Sequence, residues 1–256
     1  MGWFRNWRRR RLLERQRIEP RLWDSVVARL PFLRGMEAAE LARLRDLAQI
    51  FLHEKEMHGA AGMALSDSVR LSIAAQACLP ILNLGLDVYE GWVGIIVYPA
   101  EFRVRKQEVD EAGVVHESLD ALSGEAWPGG PVVLSWQDAA MIETGYNVVI
   151  HEFAHKIHML RETDDGEGYP HAFPGMDAAR WREVLERSYE RLCRDVDEGK
   201  QTLVDPYAAE HPAEFFAVMS EAFFTDSAVL ARDWPELYRE LAAFYRQDPA
   251  GILPPP

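Results

Sequence analysis

The stretch VVIHEFAHKIHML, Val148–Leu160, carries two histidines four residues apart and a glutamate directly after the first of them. On an α-helix, residues four apart differ by about 40° and one turn, so the imidazoles of His151 and His155 point in the same direction. Both can then reach one zinc ion, which accepts neutral histidine nitrogens at about 2.0–2.1 Å. The stretch therefore predicts a helix that presents part of a metal site.

Glu152 is placed for chemistry rather than for coordination. It lies about 100° around the helix from His151, so it stays outside the coordination sphere while its carboxylate can lean over a metal-activated water. A general base needs that position, because it takes the proton of the water that attacks the carbonyl. The motif therefore predicts metal-dependent hydrolysis of peptide bonds.

The same pattern also occurs by chance on helices that bind no metal. Here an apolar run, Val148–Ile150, precedes the motif, and Phe153 and Ala154 lie between the two histidines. These neighbours are typical of a buried helix, where histidines without partners are costly. The local composition therefore favours a metal site.

A zinc site needs a further ligand, and the chain offers two candidates on one helix. The metzincin continuation requires glycine at 158 and histidine at 161, where this chain has His158 and Arg161, so that class is excluded. In HPAEFFAVMSEAFF, Glu214 and Glu221 are seven apart and lie within about 20° of each other around a helix. Either can bind the metal while the other supports the site. Tyr207, seven residues before Glu214, could donate a hydrogen bond to the oxyanion of the reaction.

The bulk composition describes a folded, acidic protein. With 256 residues, 48% of them hydrophobic, the chain can fill one compact core with a helical extension. A net charge of −13 argues against direct nucleic-acid binding, which normally requires a basic face. The two cysteines, Cys78 and Cys193, form no CxxC pair, so they predict neither a zinc knuckle nor a disulfide framework and suit a reducing cytoplasm.

The basic N-terminus, WFRNWRRRRLLERQRIEP, lacks the apolar segment that follows the charged start of a signal peptide. We expect residues 1–20 to form a flexible, solvated tail, with contact to anionic lipid or nucleic acid as the alternative. The most apolar later stretch, LSIAAQACLPILNLGLDV, includes polar residues and a proline that a spanning helix rarely tolerates. The sequence therefore predicts a soluble, cytoplasmic protein with no membrane span.

Hydrophobic periodicity divides the rest of the chain. Residues 21–88 show helical spacing and predict a helical region packed on the core, with a helix that Ser66 or Asp67 caps and that ends near Gly85. Short β-branched runs then predict strands at WVGIIVYP, FRVRKQEV, GVVHESL and GGPVVLSW. Three amphipathic helices follow the histidine helix, and residues 251–256 are expected to be disordered.

Six segments of the chain together carry a specific resemblance: HEFAHK, DPYAAEHPAEFFAVMSEAFF, QACLPILNLGLDVYEGW, VYPAEF, GEAW and GPVVLSW. They resemble the Mlc titration factor A family of zinc-dependent peptidases, whose catalytic core is similar to the metalloprotease domain of anthrax lethal factor. The resemblance runs from about Leu22 to Pro249. It implies an α+β fold with a zincin-like metallopeptidase core over residues 89–250, and an aminopeptidase activity.

The resemblance also implies roles for single residues. One zinc ion per chain would be bound by His151, His155 and Glu214. Glu152 would act as the general base, and Tyr207 would assist the transition state.

One position departs from the family pattern. Seven residues after the first ligand histidine the family commonly has an aspartate, and this chain has His158. An aspartate there could orient a ligand histidine. We expect another acid to do so here, and the candidates are Glu221 and the pair Asp164-Asp165.

The expected partners are a peptide substrate, paired with the edge of the VVLSW strand, and a transcriptional repressor of the Mlc type. The leading hypothesis is a zinc-dependent aminopeptidase. The alternative is a regulatory binding protein that sequesters such a repressor, with peptidase activity secondary. A purely structural zinc site is disfavoured, because structural sites usually have four protein ligands.

Overall fold

The structure is a computed structural model that describes residues 2–15, 17–109, 115–127, 129–141, 143, 145–161 and 168–251. Within that part of the chain helices dominate and two small sheets are present, so the expectation of a mixed α+β fold is confirmed. No helix in the described part is long and apolar enough to cross a membrane.

Four helices make up most of the N-terminal part. They are α1 (Gly2–Arg15), α2 (Pro20–Val27), α3 (Ala38–Glu54) and α4 (Asp67–Cys78). α4 begins after Ser66, whose hydroxyl accepts a hydrogen bond from the backbone N–H of Val69. It ends two residues before Pro80, earlier than the predicted end near Gly85, because a proline ring cannot continue the helical hydrogen bonding.

The main sheet has four strands in the spatial order β1-β2-β6-β5. The strands are β1 (Glu56–Gly59), β2 (Gly94–Tyr98), β5 (Gly124–Ala126) and β6 (Val132–Ser135). The β1–β2 and β2–β6 pairs are parallel, and β5 runs antiparallel to β6. A separate antiparallel pair is formed by β3 (Phe102–Val109) and β4 (Val115–Leu122).

Six helices follow the sheet. They are α5 (Trp136–Ala139), α6 (Val148–Met159), α7 (Ala178–Asp197), α8 (Pro212–Thr225), α9 (Ser227–Asp233) and α10 (Pro235–Tyr245). α6 is the histidine helix and packs against α8. The ring of Phe153, on the side of α6 away from the histidines, lies 5.6 Å from Phe51, 5.2 Å from Tyr89 and 5.7 Å from Trp92 between centroids. This aromatic cluster fixes the back of α6 in the core, so its histidine face turns outward to a cleft.

Two boundaries differ from the sequence-based expectation. Residues expected as a flexible tail form α1, because Arg5 and Arg9 pair with acids on the body and Leu12 and Leu13 pack on the core. The region 21–88, expected to be helical, also contributes β1, a four-residue strand too short to predict from periodicity. Residues 252–256 lie outside the described residues.

The expectation that the VVLSW strand offers a free edge is wrong. β6 lies between β2 and β5, and all four of its residues are buried. Its continuous apolar run is typical of an interior strand rather than an edge. The free edge nearest α6 belongs to β5, which pairs with β6 on one side only among the described strands.

A buried lysine links the end of α3 to the loop before β2. The ammonium of Lys55 donates hydrogen bonds of 2.5 Å to the backbone carbonyls of Tyr89 and Trp92, and it lies 3.9 Å from the centroid of the Trp92 ring. Burial lowers the pKa of Lys55 from 10.5 to about 8. The folded protein therefore binds this proton more weakly than the unfolded chain does.

We expect the contribution of Lys55 to stability to rise with pH between about 8 and 10.5, because in that window the unfolded state holds more protons than the folded state. Across this pH window the free energy of unfolding of wild type should increase by up to about 3 kcal/mol relative to that of Lys55→Met. Urea unfolding of both proteins at several pH values measures it. Parallel pH curves for the two proteins would contradict the expectation.

Candidate metal centre

The start of α6 is held by a polar residue at its N-terminus. The side-chain oxygen of Asn147 accepts a hydrogen bond of 2.9 Å from the backbone N–H of Ile150, which caps the helix. The backbone N–H of Asn147 in turn donates to Oε2 of Glu221 on α8. Because both ends of this contact are buried, the first turn of α6 is fixed relative to α8.

Three ligand-type atoms from α6 and α8 meet in the cleft. Nε2 of His151 lies 3.0 Å from Nε2 of His155. Oε2 of Glu214 lies 3.2 Å from the first of these nitrogens and 3.3 Å from the second. His151, His155 and Glu214 thus form a compact group that could hold one metal ion.

The spacing of this group fits a tetrahedral metal site. Bonds of about 2.0–2.1 Å at tetrahedral angles require neighbouring ligand atoms to be about 3.3 Å apart. The three measured separations of 3.0, 3.2 and 3.3 Å approach that value. Two imidazole nitrogens and one carboxylate oxygen are also the donor set that zinc accepts in sites with three protein ligands.

Glu221 orients the first of the two histidines. Its Oε1 lies 2.7 Å from Nδ1 of His151 and accepts the Nδ1 proton, which leaves Nε2 as the nitrogen that faces His155 and Glu214. The sequence did not decide which of two acids is the third candidate ligand. In the structure Glu214 lies beside the Nε2 atoms of both histidines, whereas Glu221 contacts His151 at Nδ1. Of the acids expected to orient a ligand histidine, Glu221 makes a contact with His151; Asp164 and Asp165 lie outside the described residues.

The pKa values of Glu214 and of the neighbouring His158 are both lowered, but for different physical reasons. Burial alone would raise the pKa of the Glu214 carboxyl, but hydrogen bonds with His151 and His155 outweigh it and hold that pKa well below the usual range. Burial lowers the pKa of His158, one turn further along α6, to about 4, so this buried imidazole is neutral and lines the cleft.

A buried polar chain extends behind Glu221. The side-chain amide of Asn147 donates a hydrogen bond of 2.7 Å to Oε1 of Gln76 on α4, and Nε2 of Gln76 donates to the backbone oxygens of Ser72 and Ala139. Sequence reasoning did not find Gln76 or Asn147. The only signals were a lone glutamine inside the apolar QAC segment and an asparagine just before α6, and neither indicates a long-range contact.

Glu152 lies beside the group and is almost completely buried. Its Oε2 has no hydrogen-bond partner among the described residues, although the atom is within the wall of the cleft. Burial, assisted by the nearby acids Glu214 and Glu221, raises the pKa of Glu152 to about 8, while the charge of His151 acts in the opposite direction. The carboxylate is thus placed to exchange a proton with a molecule in the cleft.

A glycine on β5 makes room for Glu152. A Cβ at Gly124 would lie 2.6 Å from Cγ and 2.8 Å from Cδ of the Glu152 side chain, so only glycine allows the strand to approach this closely. No role for Gly124 can be predicted from the sequence, since a single glycine at the start of GEAW does not show what it faces.

Tyr207 lines the same cleft from the opposite wall. It follows Asp205, whose carboxylate accepts a hydrogen bond of 2.9 Å from the Tyr207 N–H and begins a short 3₁₀ turn, Pro206–Ala209. Burial and the nearby carboxylates of Glu214 and Glu210 raise the pKa of the Tyr207 hydroxyl above its usual range, so it stays protonated and can donate. The cleft has a volume of about 900 Å³.

We expect Glu221→Gln to weaken binding of a divalent metal by about 10–100-fold, because the amide cannot support the Nδ1 proton of His151 as a carboxylate does. Competition with a chromogenic zinc chelator measures the affinity. Glu183→Gln, at an exposed position on α7, is the matched control and should bind like wild type. Equal affinity in all three proteins would show that the contact with Glu221 does not tune the site.

Comparison with known proteins agrees with this arrangement. The family model of the glucose-regulated metallo-peptidases M90 matches residues 4–246. Mlc titration factor A of Salmonella arizonae is 38% identical over 236 residues, which cover 91% of this chain and 93% of that protein. Mlc titration factor A of Salmonella choleraesuis is 37% identical over 235 residues, covering 90% and 88%. The resemblance found in the sequence is thereby confirmed, and the chain belongs to the glucose-regulated metallo-peptidase M90 family.

Proposed function

We propose that this metallopeptidase-family chain is a zinc-dependent aminopeptidase. The observation that carries the proposal is the meeting of His151, His155 and Glu214 within 3.3 Å of one another, beside the buried carboxylate of Glu152. Three protein ligands leave one position of a tetrahedral zinc site open, as catalysis requires, whereas a structural site usually closes with four.

Each residue of the site would have a separate role in hydrolysis. A zinc ion held by the three ligands would act as a Lewis acid toward the scissile carbonyl and make a water acidic near neutral pH. Glu152 would accept the proton of the attacking water at Oε2 and deliver it to the leaving amine as the C–N bond breaks. Tyr207 would donate a hydrogen bond to the carbonyl oxygen as negative charge develops there, and Glu221 would keep His151 in the binding tautomer.

The rim of the cleft supports action at a free N-terminus. Glu125, Glu143 and Asp205 all line the cleft, where their carboxylates suit the ammonium group of a peptide. Next to them the free edge of β5 could pair with an extended substrate. The substrate would then lie along α6 with its first peptide bond near Glu152.

A second role is favoured by the relatives. Both are called Mlc titration factor A, a name that points to binding of the protein Mlc. We propose that this chain binds a transcriptional repressor of that type through a surface separate from the zinc chemistry. Such a partner would place the chain in the cytoplasm, in keeping with its two free thiols, Cys78 and Cys193.

The central experiment compares hydrolysis of aminoacyl p-nitroanilides by wild type, Glu152→Gln and chelator-treated protein before and after zinc is restored. We expect Glu152→Gln to lose about 10²–10⁴-fold in kcat with its zinc content unchanged, and chelated protein to recover with zinc. Acetylation of the substrate amine should abolish cleavage. Equal activity in all forms would refute the peptidase, and cleavage of acetylated peptides would indicate an endopeptidase.

We expect Gly124→Ala to lower kcat by about 10²-fold, because the new methyl group displaces the Glu152 carboxylate while leaving the three ligands in place. Zinc content, measured on the same samples, should not change. Gly94→Ala is the matched control in the same sheet, since its Cβ would meet only Pro131 at an ordinary 3.5 Å. Full activity of Gly124→Ala would mean that the close approach of β5 does not position the base.

A further inference from the structure

The helix α1 is attached to the body along one side. Arg9 makes two hydrogen bonds of 2.8 Å to the carboxylate of Glu54 and a third, of 2.6 Å, to Asp87. Arg5 donates to the same Asp87 at 2.8 Å. Leu12, on the same side, packs on the core. These contacts determine which residues of α1 face away.

The opposite side of α1 combines aromatic and basic side chains in solvent. Trp3 is 80% exposed, Phe4 60% and Trp7 42%. Arg10 and Arg11 are exposed beside them, and the Arg11 guanidinium lies 4.7 Å from the centroid of the Trp7 ring. At 100° per residue all five fall on the half of the helix turned away from Arg5 and Arg9. We call these five residues the outer face of α1.

Charge is separated between this helix and the rest of the chain. Residues 1–17 contain seven arginines and one glutamate, a net charge of +6, whereas the whole chain carries −13. The remainder is therefore at −19. Arg10 and Arg11 have no ion pair with another described residue, unlike Arg5 and Arg9, so the outer face presents positive charge that the body does not neutralise.

We propose that the outer face of α1 docks the protein on the surface of an anionic lipid bilayer. Tryptophan and phenylalanine rings stabilise the interface of a bilayer by leaving water for the headgroup region, and arginines beside them attract acidic headgroups. The backbone of a nucleic-acid duplex would neutralise the arginines but leave three large apolar side chains in water. Those aromatic side chains therefore favour lipid as the partner.

A groove beside the outer face suits a phospholipid headgroup. It has a volume of about 630 Å³ and runs between α1 and the end of α3. Arg8 and Phe4 from α1 line it together with His53 from α3. Glu54 lines it too, and its carboxylate is paired with Arg9. A phosphate near Arg8 would leave the adjoining carbons of the lipid against Phe4. The binding is peripheral, and α1 would lie in the plane of the membrane surface.

The test is cosedimentation of the full-length protein, without an N-terminal tag, with vesicles of phosphatidylcholine alone or mixed with phosphatidylglycerol. We expect binding to the mixed vesicles only. Arg10→Gln/Arg11→Gln should weaken it by about 30-fold, and Trp3→Ala/Trp7→Ala by at least about tenfold. Added salt should weaken binding of wild type, because the arginine contribution is screened.

Arg34→Gln/Arg239→Gln removes two exposed arginines from the body and matches the first variant in net charge; it should bind like wild type. An unchanged melting temperature shows that the variants remain folded. The proposal is overturned if wild type does not bind anionic vesicles, or if the outer-face variants bind as well as the control. It is also overturned if the protein binds a DNA duplex more tightly than the vesicles and is displaced from them by it. Loss of self-association in the variants, with unchanged binding to vesicles, would overturn it as well.

Discussion

The buried carboxylate of Glu221 is the contact on which the geometry of the site depends. One of its oxygens accepts the backbone N–H of Asn147 and the other accepts a hydrogen bond from Nδ1 of His151, so a single side chain of α8 fixes both the start of α6 and the orientation of the His151 ring. A buried carboxylate without such partners would cost several kcal/mol. The two hydrogen bonds therefore bind α6 and α8 in one register.

The register matters because α8 also supplies Glu214, two turns before Glu221. Phe216, between the two acids, packs 5.5 Å from Phe244 and 6.4 Å from Tyr245 between ring centroids, which prevents α8 from turning. With α8 fixed, the carboxylate of Glu214 reaches the imidazole pair. β5 completes the arrangement from the other side, where Gly124 leaves room for Glu152. The site is thus a product of three packed elements rather than of one motif.

Whether a contact of the site can be predicted from the sequence depends on how far apart its residues lie along the chain. The histidine pair and Glu152 lie within five residues, so helical geometry alone predicts their directions. Glu214 and Glu221 share one face of α8, and only the offset of α8 along α6 decides which of them reaches the imidazoles. Two contacts, Gln76 with Asn147 and Gly124 with Glu152, join distant segments and leave no periodic signal. For the same reason β5, at three residues, has no periodic signal, whereas the continuous apolar run of β6 is itself typical of an interior strand.

The acids that lie close together at the site connect the binding of a cation with the protonation state of Glu152. Glu152, Glu214 and Glu221 share one buried region, and burial with their mutual repulsion raises the pKa of Glu152 to about 8, where a carboxyl is mostly protonated at neutral pH and cannot act as a base. A divalent cation held by the imidazoles and Glu214 would offset this repulsion and lower that pKa. By linkage, an ionised Glu152 would strengthen the binding of the cation in return. In the proposed peptidase, the ion that would polarise the substrate would therefore also lower the pKa of the base.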